Sequence, residues 1–309
     1  MIDRNWKLAR KRNGLYTRAA MIRAIRGFFI DRDYLEVETP SRIPGPAPEC
    51  NIDAIPSDGW YLHTSPELCM KRLLAAGYPR IFQITRCFRK EERGSLHIPE
   101  FTLLEWYTSG IDYCRMMEEC EELIIHVAHN LGHEGAIDYR GETIDIRSPW
   151  EMVSVREAFR RYSSVSLENA LENNRFDEIM IEEIEPRFKQ IQRPVFLYDY
   201  PVALGALARV KKTDPEVAER FELYMGGLEL ANAFSELTDA AEQRARFEEE
   251  QEDRRVSGKV IYPMPEKFLS ELTNMPESSG IALGVDRLAM IFTDSASIDD
   301  VVTFTPEEL

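Results

Sequence analysis

Residues 217–236, VAERFELYMGGLELANAFSE, set three carboxylates, Glu222, Glu229 and Glu236, seven residues apart among β-favouring neighbours. Residues 221–225 and 228–230 alternate in the manner of strands. Gly226 and Gly227 between them can take the positive φ angles of a two-residue hairpin turn without steric cost. The stretch therefore predicts an antiparallel hairpin. Pairing Met225 with Leu228 puts Tyr224 opposite Glu229 and Glu222 opposite Ala231, and strand parity then gives Glu222, Tyr224 and Glu229 one face. Neighbouring carboxylates repel unless a cation lies between them, and a divalent metal carrying a polyphosphate is the usual solution. A solvated edge hairpin with exposed glutamates explains the same pattern, because antiparallel sheets often keep one polar face. The hairpin alone does not choose between the two.

The surrounding chain is 309 residues long, 44% hydrophobic, with a formal charge of −16. That length and composition supply a sizeable core. The acidic balance argues against a broad basic face for a nucleic-acid backbone. The five cysteines, Cys50, Cys69, Cys87, Cys114 and Cys120, are odd in number and never spaced C-x-x-C, so neither a disulfide framework nor a zinc site is expected. A reducing cytoplasm is the simplest setting. No segment approaches 18 apolar residues, and MIDRNWKLARKRNG at the amino terminus lacks the apolar run of a signal peptide. Neither membrane insertion nor export is expected.

From Leu15 to Arg32 the spacing of Ile22, Ile25, Phe28 and Phe29 predicts a helix, followed by the extended LEVETP and the proline-rich connector SRIPGPAPEC. Ser65-Pro66-Glu67 opens a second helix through LCMKRLLAAG, where Glu67 complements the helix dipole. RIFQITRCF (80–88) and PEFTLLEWY (99–107) read as strands around a charged loop. The loop's Arg89, Lys90, Arg93 and His97 fit either a phosphate or plain solvation. Residues 112–131 predict an amphipathic helix, and 137–190 hold one short strand, TIDIRS, and two or three helices, with a further strand in PVFLYDYP. Charged helices follow at 239–256 and 264–273. Finally SSGIALGVDRLAMIF joins a small-residue strand to a helix with Asp286 and Arg287 in its first turn. A cation there opposes the helix dipole but suits sharing an anionic ligand with the free N–H groups.

Taken together, SPELCMKRLL, FRKEE, PEFTLLEWY, ELANAFSELTDA and ALGVDRL, in that order, resemble the motifs of class II aminoacyl-tRNA synthetases, specifically the lysyl branch. The likeness runs from about Leu15 to Phe304 and implies an α+β fold, an antiparallel sheet flanked by helices. It implies a single catalytic domain over 1–309 with a mainly helical insertion at about 137–193. A lysyl synthetase also carries an anticodon-binding OB-fold, for which no room is expected before Leu15. The chain is thus more similar to the elongation factor P lysine ligases, stand-alone paralogues that activate (R)-β-lysine with ATP and transfer it to a lysine of elongation factor P. Ala282 stands where lysyl-tRNA synthetases usually have glycine and this paralogue alanine. On this resemblance tRNA is an unlikely partner, and the helix–strand unit ending at Pro40 implies a homodimer interface.

The resemblance also implies roles for individual residues. Arg89 matches the arginine on the α-phosphate and carboxylate and is the expected catalytic residue. Lys90, Glu91, Ile98, Phe101, Glu229, Leu230, Gly284 and Arg287 match positions around ATP, Glu91 reading the adenine amino group and Phe101 stacking on the ring. Glu222 and Glu229 match magnesium ligands. Ser65, Pro66, Glu67, Tyr107, Asn232, Phe234, Glu236 and Ala282 match the amino-acid pocket, with Glu67 and Glu236 receiving ammonium groups. Three departures stand out: Lys90 and Ile98 replace asparagines, and Ala233 a common glycine. Strict alternation would turn Asn232, Phe234 and Glu236 away from Glu229, so a bulge around Leu230–Ala231 is expected.

Overall fold

A computed structural model of the chain describes residues 6–309. Residues 1–5, part of the stretch read for an export signal, lie outside the described residues. Nine strands form the central sheet: β1 (Leu35–Glu36), β2 (Arg80–Phe88), β3 (Glu100–Ser109), β4 (Glu151–Ser154), β5 (Val195–Pro201), β6 (Val210–Lys211), β7 (Asp214–Met225), β8 (Leu228–Ser235) and β9 (Ser278–Gly284). Their spatial order is β1-β2-β3-β9-β8-β7-β5-β4, with β6 on β7. The pairs from β2 to β5 are antiparallel, as expected. The outermost pairs, β1 with β2 and β5 with β4, are parallel, so the sheet is mixed.

Period-two alternation sorts the sheet's side chains. On β3, Leu104 and Trp106 are fully buried in the main core, while Phe101, Leu103, Glu105 and Tyr107 line a cavity on the other face. Three helices cover the core face: α1 (Arg12–Ile30), α2 (Tyr113–Asn130) and α3 (Val285–Phe292). Their apolar stripes bring Phe28, Phe29, Met116, Ile124, Leu288 and Ile291 onto Phe82, Trp106 and Ile281. Phe29 stacks on Phe82 at a centroid distance of 4.7 Å. Three further helices, Glu67–Ala75, Ala240–Val256 and Glu266–Leu272, flank the cavity face around a separate cluster of Met70, Leu74, Phe247, Phe268 and Leu272.

The 137–190 segment differs from its expected one strand. Residues 136–139 and 142–145 form a hairpin, and β4 then adds to the central sheet. The helices after it bury Phe159, Ile184 and Phe188 against Val195, Leu197 and Tyr224. The segment is therefore continuous with the sheet edge, because β4 and β5 share a core.

The hairpin carries the expected irregularity. Tyr224 pairs with Glu229, but Leu223 pairs with Ala231 and Glu222 with Asn232, which leaves Leu230 as the extra residue of a bulge. The pairing of Glu222 with Ala231 is thus corrected by one position. Gly226 and Gly227 have φ of 59° and 80°, the left-handed values this turn needs.

Across the cavity mouth, the 47–54 connector is tied to the helix Ala240–Val256 by Arg254, which is fully buried. Arg254 donates to the carbonyls of Val260, Glu49 and Ile52 and to the Asp53 carboxylate at 2.6–3.0 Å, and its guanidinium lies 4.2 Å from the Tyr262 ring centroid. Arg254→Met leaves three carbonyls and Asp53 without this donor. Urea unfolding is expected to show a loss of about 3–5 kcal/mol; a loss under about 1 kcal/mol would mean the connector is held by other contacts.

Candidate active site

The cavity of about 320 Å³ sits between β3, β9 and β8 below and the loops around residues 49–52, 64–67 and 89–98 above. Its size is that of a small-molecule site. Glu229 lies before the bulge and Asn232 and Phe234 after it, yet all three line the cavity. The bulge therefore does what parity required of it.

One end of the cavity carries two arginines. Arg89 follows β2 and its guanidinium lies 5.0 Å from the Phe101 ring centroid, with Glu92 at 3.7 Å. Its Nε is buried without a hydrogen-bond partner, which leaves an N–H available to an anion. Arg287, at the start of α3, donates to the Glu229 carbonyl at 2.8 Å and contacts the Glu229 carboxylate at 3.3 Å and His97 Nε2 at 2.7 Å. Burial and the charge of Arg287 both lower the His97 pKa, so the ring accepts from the guanidinium as a neutral imidazole. Beside Arg287, the Asp286 carboxylate is buried, paired with Arg18 of α1 at 2.5 Å and accepting from the Thr102 N–H at 2.7 Å. This contact fixes α3 to both α1 and β3.

The other end is anionic. Ser65 Oγ accepts from the Glu67 N–H at 3.0 Å and donates to Glu105 at 2.6 Å, and the Tyr107 hydroxyl donates to Glu105 at 2.9 Å. Burial, then the charge of Glu67, pushes the Glu105 pKa up to about 8. Glu236 is fully buried and does not line the cavity; burial pushes its carboxyl to about 8 although Lys71 pulls the other way. Lys71 lies 2.6 Å from Glu67 and 2.5 Å from Glu236. Gly280 is required here, since a Cβ on it would run into the Tyr107 ring and the Glu236 carboxylate.

Of the sites expected from sequence, Ser65, Glu67, Arg89, Ile98, Phe101, Tyr107, Glu229, Leu230, Asn232, Phe234, Ala282, Gly284 and Arg287 line this cavity. Lys90 and Glu91 do not: they pair with each other at 3.1 Å on an exposed turn where Glu91 has φ of 64°. Pro66 is buried at the start of the helix Glu67–Ala75, and Glu236 stands behind the wall. Glu222 lies beside the cavity, bonded by Arg220 and by Tyr224 at 2.7 Å. Glu105 and Lys71 were missed. Parity with Phe101 and Tyr107 was the signal for Glu105, and the four-residue step from Glu67 the signal for Lys71.

No group of three or more His, Cys, Asp or Glu side chains among the described residues is arranged to hold a metal ion. Glu222 and Glu229 nevertheless suit a magnesium ion that takes its remaining ligands from phosphates and water. Burial, then the charge of Glu222, raises the Glu229 pKa, the repulsion that a bound cation relieves. Among the described residues no helix is long and apolar enough to cross a membrane.

A family model described as tRNA synthetases class II (D, K and N) matches residues 5–308. The chain is 38% identical to an elongation factor P (R)-β-lysine ligase of Hamiltonella defensa, over 98% of each chain. It is 39% identical to the protein of the same name in Erwinia tasmaniensis, over 97% of each. A lysine–tRNA ligase of Moorella thermoacetica is 38% identical over 93% of this chain and 64% of its own length.

The raised pKa of Glu105 has a thermodynamic consequence. The folded carboxyl holds its proton more tightly than the unfolded one, so its destabilising effect is absent below the ordinary value of 4.5 and grows as pH rises toward about 8. Glu105→Gln is expected to flatten the fall of melting temperature between about pH 5 and pH 9. An unchanged slope would show that Glu105 does not carry it.

Proposed function

The chain belongs to the class II tRNA synthetases of the D, K and N group, and from that premise we propose that it activates (R)-β-lysine or lysine with ATP and transfers it to a lysine side chain of elongation factor P. The observation that carries this reading is the polarity of one cavity, with Arg89 and Arg287 at one end and Glu67 and Glu105 at the other. A diamino acid laid along it directs its ammonium groups to the carboxylates and its carboxylate toward the arginines, where the triphosphate binds.

In the first step a carboxylate oxygen of the amino acid attacks the α-phosphorus and pyrophosphate leaves. In the second the acceptor amine attacks the mixed anhydride, losing a proton, and AMP leaves. Both steps gain from positioning and charge stabilisation. Arg89, with a free buried Nε, holds the α-phosphate and the attacking carboxylate, and Phe101 supplies the flat apolar surface against the adenine. Arg287 takes the far phosphates, exchanging its contact with Glu229 for phosphate oxygens. Glu222 and Glu229 would hold magnesium, which when bound neutralises the pyrophosphate. Ala282 lines the amino-acid end, where its methyl narrows the space that a glycine would leave.

We further assign residues 1–309 to one catalytic unit with 137–193 as an insertion, working in the cytoplasm. We also assign a homodimer, supported by the exposed Tyr16, Ile30 and Leu35 of α1 and β1. Sedimentation is expected to give twice the 35.8 kDa chain mass, and a monomer at micromolar concentration would remove the assignment. A lysyl-tRNA ligase activity is the rival that labelling separates. With ATP and labelled (R)-β-lysine or lysine, elongation factor P is expected to become labelled and tRNA is not; label on tRNA alone would overturn the proposal. Arg89→Ala is expected to lower the rate of amino-acid-dependent pyrophosphate exchange by about 10²–10³-fold.

A further inference from the structure

Behind the wall at the anionic end of the cavity lies a cation of the protein's own. Lys71 stands one turn after Glu67 on the helix Glu67–Ala75, is 1% exposed, and reaches Glu67 Oε1 at 2.6 Å and Glu236 Oε2 at 2.5 Å. Its ammonium also lies 5.0 Å from the Phe234 ring centroid. Glu236 contributes a second oxygen, Oε1, that is buried without a hydrogen-bond partner and points at Gly280 and Tyr107. Glu105, on the neighbouring wall, is held by Ser65 and Tyr107 and makes no ion pair with Lys71.

We propose that Lys71 is a positioning and specificity-determining residue of the amino-acid pocket, whose fixed ammonium holds Glu67 and Glu236 together and lessens the competition of a proton with a substrate ammonium for these carboxylates. The inference rests on the diamino-acid reading of the cavity. Without Lys71 the buried pair repels more strongly and holds a proton more tightly. The substrate then has to displace that proton to bind.

The electrostatics run in this direction. Burial opposes the charge on Lys71, but Glu236 and Glu67 outweigh it and keep its pKa above that of an ordinary lysine. Lys71 therefore stays charged while the pocket fills. The other titratable groups facing the cluster are Tyr107 and Glu105 on β3, and Glu49, which burial and the charge of Glu67 push to about 7.

The test is amino-acid-dependent pyrophosphate exchange by the wild type, Lys71→Met and Lys71→Arg across the pH range, each variant first checked by thermal melting. At neutral pH Lys71→Met is expected to raise the KM for (R)-β-lysine or lysine at least about tenfold, a displaced proton costing tenfold per pH unit below its pKa. The KM for ATP stays within about twofold, and the amino-acid defect shrinks as pH rises toward about 9. Lys71→Arg, which keeps the charge, leaves the pH dependence of the wild type and decides the matter should the Met variant melt early. A defect that raises both KM values equally, one that does not shrink with pH, or an Arg variant that shifts the profile overturns the proposal. Absence of amino-acid-dependent exchange in the wild type would instead overturn the diamino-acid reading on which it rests.

Discussion

One unpaired residue in β8 decides what faces what. Because side chains alternate along a strand, an unbroken β8 would send Asn232 and Phe234 into the helix-covered core and bring Ala233 to the cavity. Leu230, opposed by nothing on β7, reverses the parity once, so that Ala233 is buried in the core and Asn232 and Phe234 line the cavity, Asn232 beside Glu222. Arg220 takes advantage of the same shift, donating to Glu222 at 2.7 Å and to Asn232 at 3.1 Å. The carboxylate assigned to the metal and the amide assigned to the amino acid thus share a donor only because the strand slips by one residue.

The site built on this slip works against folding. Glu105 and Glu236 have their pKa values raised to about 8 by burial, so at neutral pH each resists the charge that a cationic ligand needs from it. The apolar face of the same sheet offsets that cost. Phe29, Phe82 and Trp106 lie fully buried directly beneath the strands whose other sides carry Glu105 and Tyr107. A strand that is apolar on one side can carry strained electrostatics on the other without giving up its place in the sheet. The pocket's charge is accordingly set by neighbours brought from other elements, Ser65 and Lys71, and not by β3 alone.

Local pattern made the antiparallel part of this fold readable. The strand at 80–88, the Gly226–Gly227 turn and the 239–256 helix follow from side-chain period and turn chemistry alone. The parallel edges were not readable, since β1 with β2 and β4 with β5 join segments separated by long stretches that leave no local mark. In the site, Arg287 stood out because a guanidinium at a helix N-terminus has few structural reasons to be there, whereas Arg89 was singled out from its charged loop only by the family resemblance. Glu91 does not line the cavity and lies exposed on a turn of positive φ, which no pattern of charges announces. Lys71 was hidden by its ordinariness: a Glu followed four residues later by Lys is a common surface pair, and only the approach of Glu236 from the end of β8 converts it into a buried bridge.

That bridge and the arginine end are joined through the 47–54 connector. Glu49 lines the cavity, its carboxyl raised first by burial, then by Glu67, and lowered by Arg89, so it feels both ends at once. Its backbone carbonyl is held by Arg254, as is that of Ile52, while the Asp53 carbonyl accepts from the Lys90 N–H at 2.7 Å beside Arg89. A displacement of this connector therefore moves a carboxylate at the acidic end and the backbone next to Arg89 together. In-line attack needs the carboxylate oxygen opposite the leaving pyrophosphate at the α-phosphorus, and a strap that ties both ends of the cavity together keeps the groups that position the two substrates at one spacing.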